Sequence, residues 1–277
     1  MKRRHFLRNG LWVTGALAFP AIVRAQGFVQ GMGTRAKTLN SSGPIDLTSC
    51  MFWYRADSLS AVGDGNPVSA WTDESGNGRN LSTSGTARPT YRATGGPSST
   101  KTVEFNGSTN ILKASAFTPG NAGVSLFAVA KTTSSTATEV ICESSDNYNA
   151  TNGAFIFYAN SSNQLVAGHC GNVGKTTWVT TALIGTASFK YLSAVIDMTL
   201  STAEALAWIN NVSSGSVGSN SNNTGSFSVS LGLNVGNRAD GSIGWAGSIC
   251  ELIGYSVALD DTKRGAIQTY LSEKYSL

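Results

Sequence analysis

Apolar runs of five to nine residues, bounded by Gly, Asn and Ser, recur through most of this chain and restrict its fold more than any other feature. After Cys50-Met51-Phe52-Trp53-Tyr54-Arg55 they fall at Lys101–Asn106, Val124–Thr132, Glu139–Glu143, Ala154–Tyr158, Gln164–Cys170, Tyr191–Met198, Ala205–Asn210, Phe227–Val235 and Ile249–Val257. Most alternate in part, and a period of two sends successive side chains to opposite faces of a strand. The series predicts an all-β, antiparallel sandwich. Spacing between runs is irregular, which argues against a solenoid or propeller. The 31 glycines follow no Gly-X-Y period and mark turns. A hydrophobic share of 41% is enough for a core, and 277 residues suit one large sandwich. Only one helix is expected: Asp260 or Asp261 caps a segment in which Ile267, Tyr270, Leu271 and Lys274 recur at three-to-four spacing.

Net charge is +4, but Lys2, Arg3, Arg4, Arg8 and Arg24 all lie in the first 25 residues, which hold no acid. Setting those five aside from 20 basic residues leaves 15 against 16 acids, a balance of −1. The body therefore lacks the basic field that nucleic acid requires. The leader itself has a basic start, an apolar stretch from Leu11 to Val23, and a small-residue cleavage site at Val23-Arg24-Ala25. These are the parts of an export signal. Arg3-Arg4-His5-Phe6-Leu7-Arg8 resembles the twin-arginine pattern R-R-x-F-L-K of bacterial Tat signals; an ordinary secretory signal and an uncleaved arm are the alternatives. The apolar stretch is shorter than the roughly 20 residues that span a bilayer. Residues 1–25 are thus read as a Tat-type leader, 26–48 as a linker or N-terminal arm, and 49–277 as the folded domain, with an exported, periplasmic or extracellular destination.

Phe52-Trp53-Tyr54-Arg55-Ala56-Asp57-Ser58-Leu59 and the W-x-D-x-S-G-N-G element from Trp71 to Gly78 open a set of ordered motifs. Arg88-Pro89-Thr90-Tyr91, Val103-Glu104-Phe105-Asn106-Gly107-Ser108, the stretch from Trp245 to Tyr255, and Tyr270-Leu271-Ser272-Glu273-Lys274-Tyr275 follow. Together they resemble the laminin G-like modules of the concanavalin A-like lectin/glucanase superfamily, over about residues 50 to 277. The resemblance implies a two-sheet antiparallel jelly roll with a short C-terminal helix. It also brings a range of functions that includes sugar binders, adhesion modules, virion parts and some hydrolases, so function has to be argued from a site.

Catalytic chemistry finds little support. The alternating carboxylates of superfamily glycosidases, an E-x-D-x-x-E pattern, are absent. Glu139 and Glu143 share a face of an ideal strand but lie about 13 Å apart at roughly 3.3 Å per residue, beyond the ~5 to 9.5 Å that either glycosidase geometry uses. They are read as edge or solvent-facing charges. Glu251 is read as a structural partner for a backbone donor or an Arg rather than a general acid. His169 is the only histidine after the leader, and no G-x-S-x-G elbow accompanies it. No phosphate loop or dinucleotide fingerprint occurs. The expectation is a protein that is not an enzyme and requires no cofactor.

Sugar binding needs an aromatic surface beside amide and charged groups. Trp178, Tyr148, Asn237, Arg238 and Asp240 fall in expected loops or rims and are the carbohydrate-binding candidates; Trp53 and Trp71 are expected to pack inside. Asp73, Asn77 and Asp240 could supply oxygens to a structural Ca2+, although an Asp-x-Ser-Gly-Asn-Gly segment can equally make a turn closed by side-chain-to-backbone bonds. Cys142 and Cys170 are separated by the run at 154–158, about 9.5 Å across two strand spacings, too far for a bridge. The superfamily fold, with first and last strands adjacent, implies a Cys50–Cys250 disulfide. The functional expectation is a non-catalytic module for a glycan or surface polymer. The alternatives are a virion or cell-surface assembly protein acting through its N-terminal arm and, more remotely, a glycoside hydrolase.

Overall fold

In the computed structural model the described residues are 47–120, 122–171, 174–200, 205–213, 215–220 and 225–277. The expected leader and all but the last two residues of the expected arm lie outside them. The strands are β1 (Cys50–Arg55), β2 (Ala70–Trp71), β3 (Leu81–Ser82), β4 (Thr90–Arg92), β5 (Thr102–Asn106), β6 (Leu112–Phe117), β7 (Gly123–Thr132) and β8 (Glu139–Glu143). They continue with β9 (Ala154–Ala159), β10 (Gln164–Cys170), β11 (Lys175–Leu183), β12 (Lys190–Asp197), β13 (Ala205–Ile209), β14 (Gly215–Asn220), β15 (Leu231–Val235) and β16 (Ala246–Tyr255). A single helix, α1 (Asp261–Tyr275), closes the described chain. Among the described residues no helix is long and apolar enough to cross a membrane.

Two antiparallel sheets form a sandwich. One runs β13-β12-β7-β16-β5-β4 with β1 also paired to β16; the other runs β14-β11-β10-β9-β8-β15-β6-β3-β2. Between them lie Phe52, Tyr54, Trp71, Phe105, Leu126, Phe155, Phe157, Phe227, Leu233 and Trp245, all essentially inaccessible to solvent. β7 loses its alternation because it is covered twice. Leu126 and Ala128 face the other sheet, while Phe127 and Val129 face α1 through a second apolar layer with Trp53, Ile253, Ile267, Leu271 and Tyr275. A strand buried on both faces reads as a continuous apolar run.

The helix begins as expected: Asp260 accepts a hydrogen bond from Lys263 N at 2.8 Å, satisfying one of the first-turn amides. Beneath α1, Glu251 is fully buried and accepts from Trp53 Nε1 at 2.6 Å, Tyr270 Oη at 2.9 Å, Tyr275 Oη at 2.8 Å and Lys274 Nζ at 2.7 Å. Glu251 is thus a structural clamp between the sheet and the helix, but its donors are the side chains of Trp, Tyr and Lys rather than the backbone group or Arg expected.

Six strands escaped the sequence pattern for physical reasons: β2, β3 and β4 are only two or three residues long, too short to show a period. β11 is threonine-rich and β14 is Gly-Ser-Asn, so neither carries a clear apolar face; β6 sits where the apolar residues are sparse. The run from Phe227 also becomes strand only at Leu231, because Phe227 is spent as a core plug against Phe155 and His169.

The implied Cys50–Cys250 bridge is not formed. Register places Cys50 opposite Tyr255 and Arg55 opposite Glu251, the neighbour of Cys250. Five residues of strand, about 17 Å, thus separate two positions that a disulfide would need within roughly 7 Å. Cys142 and Cys170 are likewise unbridged, with β9 between their strands and their side chains in different apolar clusters.

The Trp71–Gly78 element makes a turn held by its own side chains. Asp73 Oδ1 accepts from Trp53 N and Ser75 N at 3.0 Å each, and Oδ2 accepts from Arg79 N at 3.0 Å. Asn77 Nδ2 donates to the Cys50 carbonyl at 2.7 Å. Gly76 and Gly78 adopt φ of 86° and 71°, which side-chain-bearing residues resist. Asp240 spends its carboxylate on Ser242 N of its own turn at 2.9 Å. Among the described residues, no group of three or more His, Cys, Asp or Glu is placed to hold a metal ion.

Candidate functional site

Among the described residues the outer face of the nine-stranded sheet carries only the short 3-10 turn Tyr148–Ala150, whereas α1 covers the outer face of its partner. Leu112, Ala114, Leu233, Val235, Phe155, Phe157 and Ala167 point into the sandwich, so their strand neighbours point out. Register then aligns a row across five strand pairs: Lys113 with Asn234, Asn234 with Glu143, Glu143 with Ile156, Ile156 with Gly168, and Gly168 with Thr177. A second row beside it is apolar, pairing Val140 with Tyr158, Tyr158 with Val166, and Val166 with Val179.

Glu143 is on this face because of a bulge. Pairing of β8 with β9 shifts between Val140 and Cys142, leaving Ile141 unmatched. One extra residue inverts the parity of the strand. Glu139 therefore turns to the opposite side, where it accepts from Thr132 Oγ1 at 2.5 Å and Ala246 N at 2.8 Å. The expectation that both glutamates share a face and meet solvent is corrected: they lie on different faces and both are buried. They cannot serve as a dyad across one cleft.

Around Glu143 the polar groups converge. Its Oε2 accepts from Arg238 Nε at 3.0 Å, while Oε1 accepts from Ser145 Oγ at 3.3 Å and from the Tyr148 amide. Burial pushes the carboxyl above the usual range, against the pull of the Tyr148 amide, Arg238 and Ser145. Asn234 Nδ2 donates to the Ser145 carbonyl at 2.5 Å, fixing the same turn. Lys113 Nζ reaches the Ala239 carbonyl at 3.4 Å, so the turn after β15 closes one side of the face. Half-buried Tyr158 packs beside Val140 and Ile156. Burial raises its hydroxyl pKa and the nearby Arg238 charge opposes that rise.

The sequence candidates divide. Tyr148 and Arg238 meet through Glu143, and Asp240 sits exposed two residues beyond Arg238. Tyr148 is not the exposed platform expected of it: it is buried, and its hydroxyl donates to the His169 carbonyl at 3.1 Å. Trp178 is placed elsewhere. It pairs with Ala167, an inward position, and packs partly buried against the sandwich core. Asn237 is buried and donates from Nδ2 to the Ser108 carbonyl at 2.8 Å, a loop-to-loop tie. Glu143, Tyr158, Asn234 and Lys113 were missed. The alternation of FIFYA could have marked Tyr158 as outward; no local signal marks the bulge that brings Glu143 there.

Gly168 lets the Tyr148 turn lie down on the sheet. A Cβ at that position would stand 2.6 Å from the Tyr148 hydroxyl oxygen and 2.8 Å from Thr177 Cγ2. Gly168→Ala is expected to lift the turn and cost about 1–3 kcal/mol of stability, read as a lower denaturation midpoint. Unchanged stability would mean that Tyr148 is not seated there.

No family model matches the chain, and no curated protein matches it in sequence. Among solved structures it is similar to Trypanosoma rangeli sialidase, with a TM-score of 0.53 and 9% identity over 82% of this chain and 33% of the sialidase. The same sialidase in complex with sialic acid gives 0.52 and 9% over the same shares. A GH54 α-L-arabinofuranosidase soaked with a cyclic sulfate inhibitor gives 0.50 and 14% identity over 78% of this chain and 53% of the enzyme. The chain spans about a third of the length of the sialidases it matches. At such identities the likeness is one of fold: this chain shares with them a two-sheet antiparallel β-sandwich.

Proposed function

We propose that this chain is an exported, non-catalytic module of laminin G-like type that binds a glycan or surface polymer on the outer face of its nine-stranded sheet. The observation that carries the reading is a patch on that face where half-buried Tyr158 and Val179 share an apolar row and exposed Lys113 and the Arg238–Glu143 pair lie in the polar one, over buried Val140, Val166 and Asn234. A pyranose has an apolar face and a rim of hydroxyls, which is the complement of such a surface. The fold shared with carbohydrate-active enzymes and the W-x-D-x-S-G-N-G resemblance support the same reading. Separation of Glu139 and Glu143 onto opposite faces supports a binding rather than a bond-breaking role. Export rests on the twin-arginine pattern at Arg3 and Arg4.

The test is retention on a polysaccharide panel for the wild type and Tyr158→Ala. The substitution is expected to weaken binding about tenfold or more with little change in unfolding midpoint, because Tyr158 is half-buried at the surface. Absence of binding to every polysaccharide, or binding unaffected by Tyr158→Ala, overturns the assignment. Trp178→Ala serves as the contrast: it should lower stability and leave affinity unchanged.

A further inference from the structure

Arg238 is only 8% exposed, yet its hydrogen bonding is incomplete. Nε donates to Glu143 at 3.0 Å, and neither terminal nitrogen has a protein partner among the described residues. Neither is among the fully buried unbonded atoms, so each keeps some contact with solvent. A guanidinium offers two binding edges, and the edge formed by Nη1 and Nη2 matches a carboxylate in bidentate fashion. Here Nε is used inside the protein, and the Nη1–Nη2 edge is left without a protein partner among the described residues.

The support is built for rigidity. Glu143 is itself held by the Tyr148 amide and Ser145 Oγ. The turn that carries Arg238 is closed by the Gly241 amide donating to the Arg238 carbonyl at 3.0 Å, with Gly241 at φ 79°. Holding a long side chain in one geometry before a ligand arrives removes much of the ordering cost of binding. The remaining charges nearby are Lys113, tied to the Ala239 carbonyl, and Asp240, which is exposed and bonded to Ser242. With Glu143 balancing Arg238, the surroundings are close to neutral. Selection must therefore come from the geometry of the fork rather than from a diffuse positive field.

We infer that the site takes a carboxylate-bearing sugar, a uronate-type unit, whose carboxylate docks on the Nη1–Nη2 edge of Arg238 while its ring lies toward Tyr158. This deepens the carbohydrate-binding reading above and rests on it.

The experiment compares, by affinity electrophoresis and calorimetry, three polyuronates (polygalacturonate, alginate and hyaluronate) with the same polymers after esterification of their carboxyls. Dextran and dextran sulfate are run alongside. At least one polyuronate is expected to bind the wild type tenfold or more tightly than its ester, with dextran sulfate no better than the ester. Arg238→Lys keeps the charge but not the fork and should lose that preference. Because Arg238→Gln alone would strand the Glu143 carboxylate, the Arg238→Gln/Glu143→Gln double variant provides a folded comparison, and it too should bind acid and ester alike. Equal binding of acid and ester by the wild type overturns the inference while leaving carbohydrate binding intact. Dextran sulfate bound as tightly as the polyuronates overturns it as well, since charge alone would then suffice. Failure to bind any polysaccharide overturns both.

Discussion

Glu251→Ala is expected to cost about 3–5 kcal/mol, the range for leaving buried partners of a charge unpaired. Four donors from two elements end on this one carboxylate: Trp53 from β1, and Tyr270, Lys274 and Tyr275 from α1. Alanine removes the acceptor of all four donors and leaves a void beneath the helix. Lys274 retains the Tyr270 hydroxyl at 3.2 Å and Asp57 Oδ2 at 3.4 Å. Glu251→Gln keeps the volume and part of the acceptor capacity, so its cost should be smaller, about 1–3 kcal/mol. Urea unfolding of both variants, followed by tryptophan fluorescence, measures the difference. If both match the wild type, α1 is docked by its apolar contacts with Phe127, Val129 and Ile253 alone.

Acid should destabilise the fold through His169. The imidazole is fully buried edge-on to Phe227, with ring centroids 4.4 Å apart, and burial lowers its pKa to about 4 from the ordinary 6.5. The unfolded chain then holds more protons than the folded one between those values, so stability rises with pH across the window. The contribution is fully present above about 6.5, falls as the pH drops toward 4, and is exhausted below that. At about 1.4 kcal/mol per pKa unit the whole loss is roughly 3 kcal/mol. Glu139 and Glu143, whose pKa values burial raises, act in the opposite sense, since their burial disfavours ionisation. Subtracting the pH profile of His169→Leu from that of the wild type isolates the histidine. Parallel profiles between pH 4 and 6.5 would show that His169 is not desolvated as described.

Much of the architecture was legible. Nine of the expected runs coincide with strands to within a few residues, and the cap at Asp260 and the inward Ile267 and Leu271 fell where their spacing put them. The turn at Asp73 and Asn77 was legible as one of two alternatives, because short polar side chains can bond only to the backbone near them. The proposed binding surface was less legible. Arg238 was singled out from its loop position, but its partner Glu143 was read as an edge or solvent-facing charge, and Tyr148 was assigned exposure that the Glu143 cluster denies it. The disulfide failed at the same level: adjacency of β1 and β16 says nothing about register, and register separates Cys50 from Cys250 by the length of the pair.

Sequence alone determined that this chain builds strands, which residues fill the interior, and that a capped helix ends it. Those properties reside in side-chain polarity and backbone preference within a few residues. Only the tertiary structure decided which carboxylate turns to the outer side of the nine-stranded sheet, because the unmatched Ile141 exists as a bulge only relative to the hydrogen bonds of β9. The partner of Arg238 lies 95 residues away in the chain, and no local pattern can encode a meeting that two separate strand registers create.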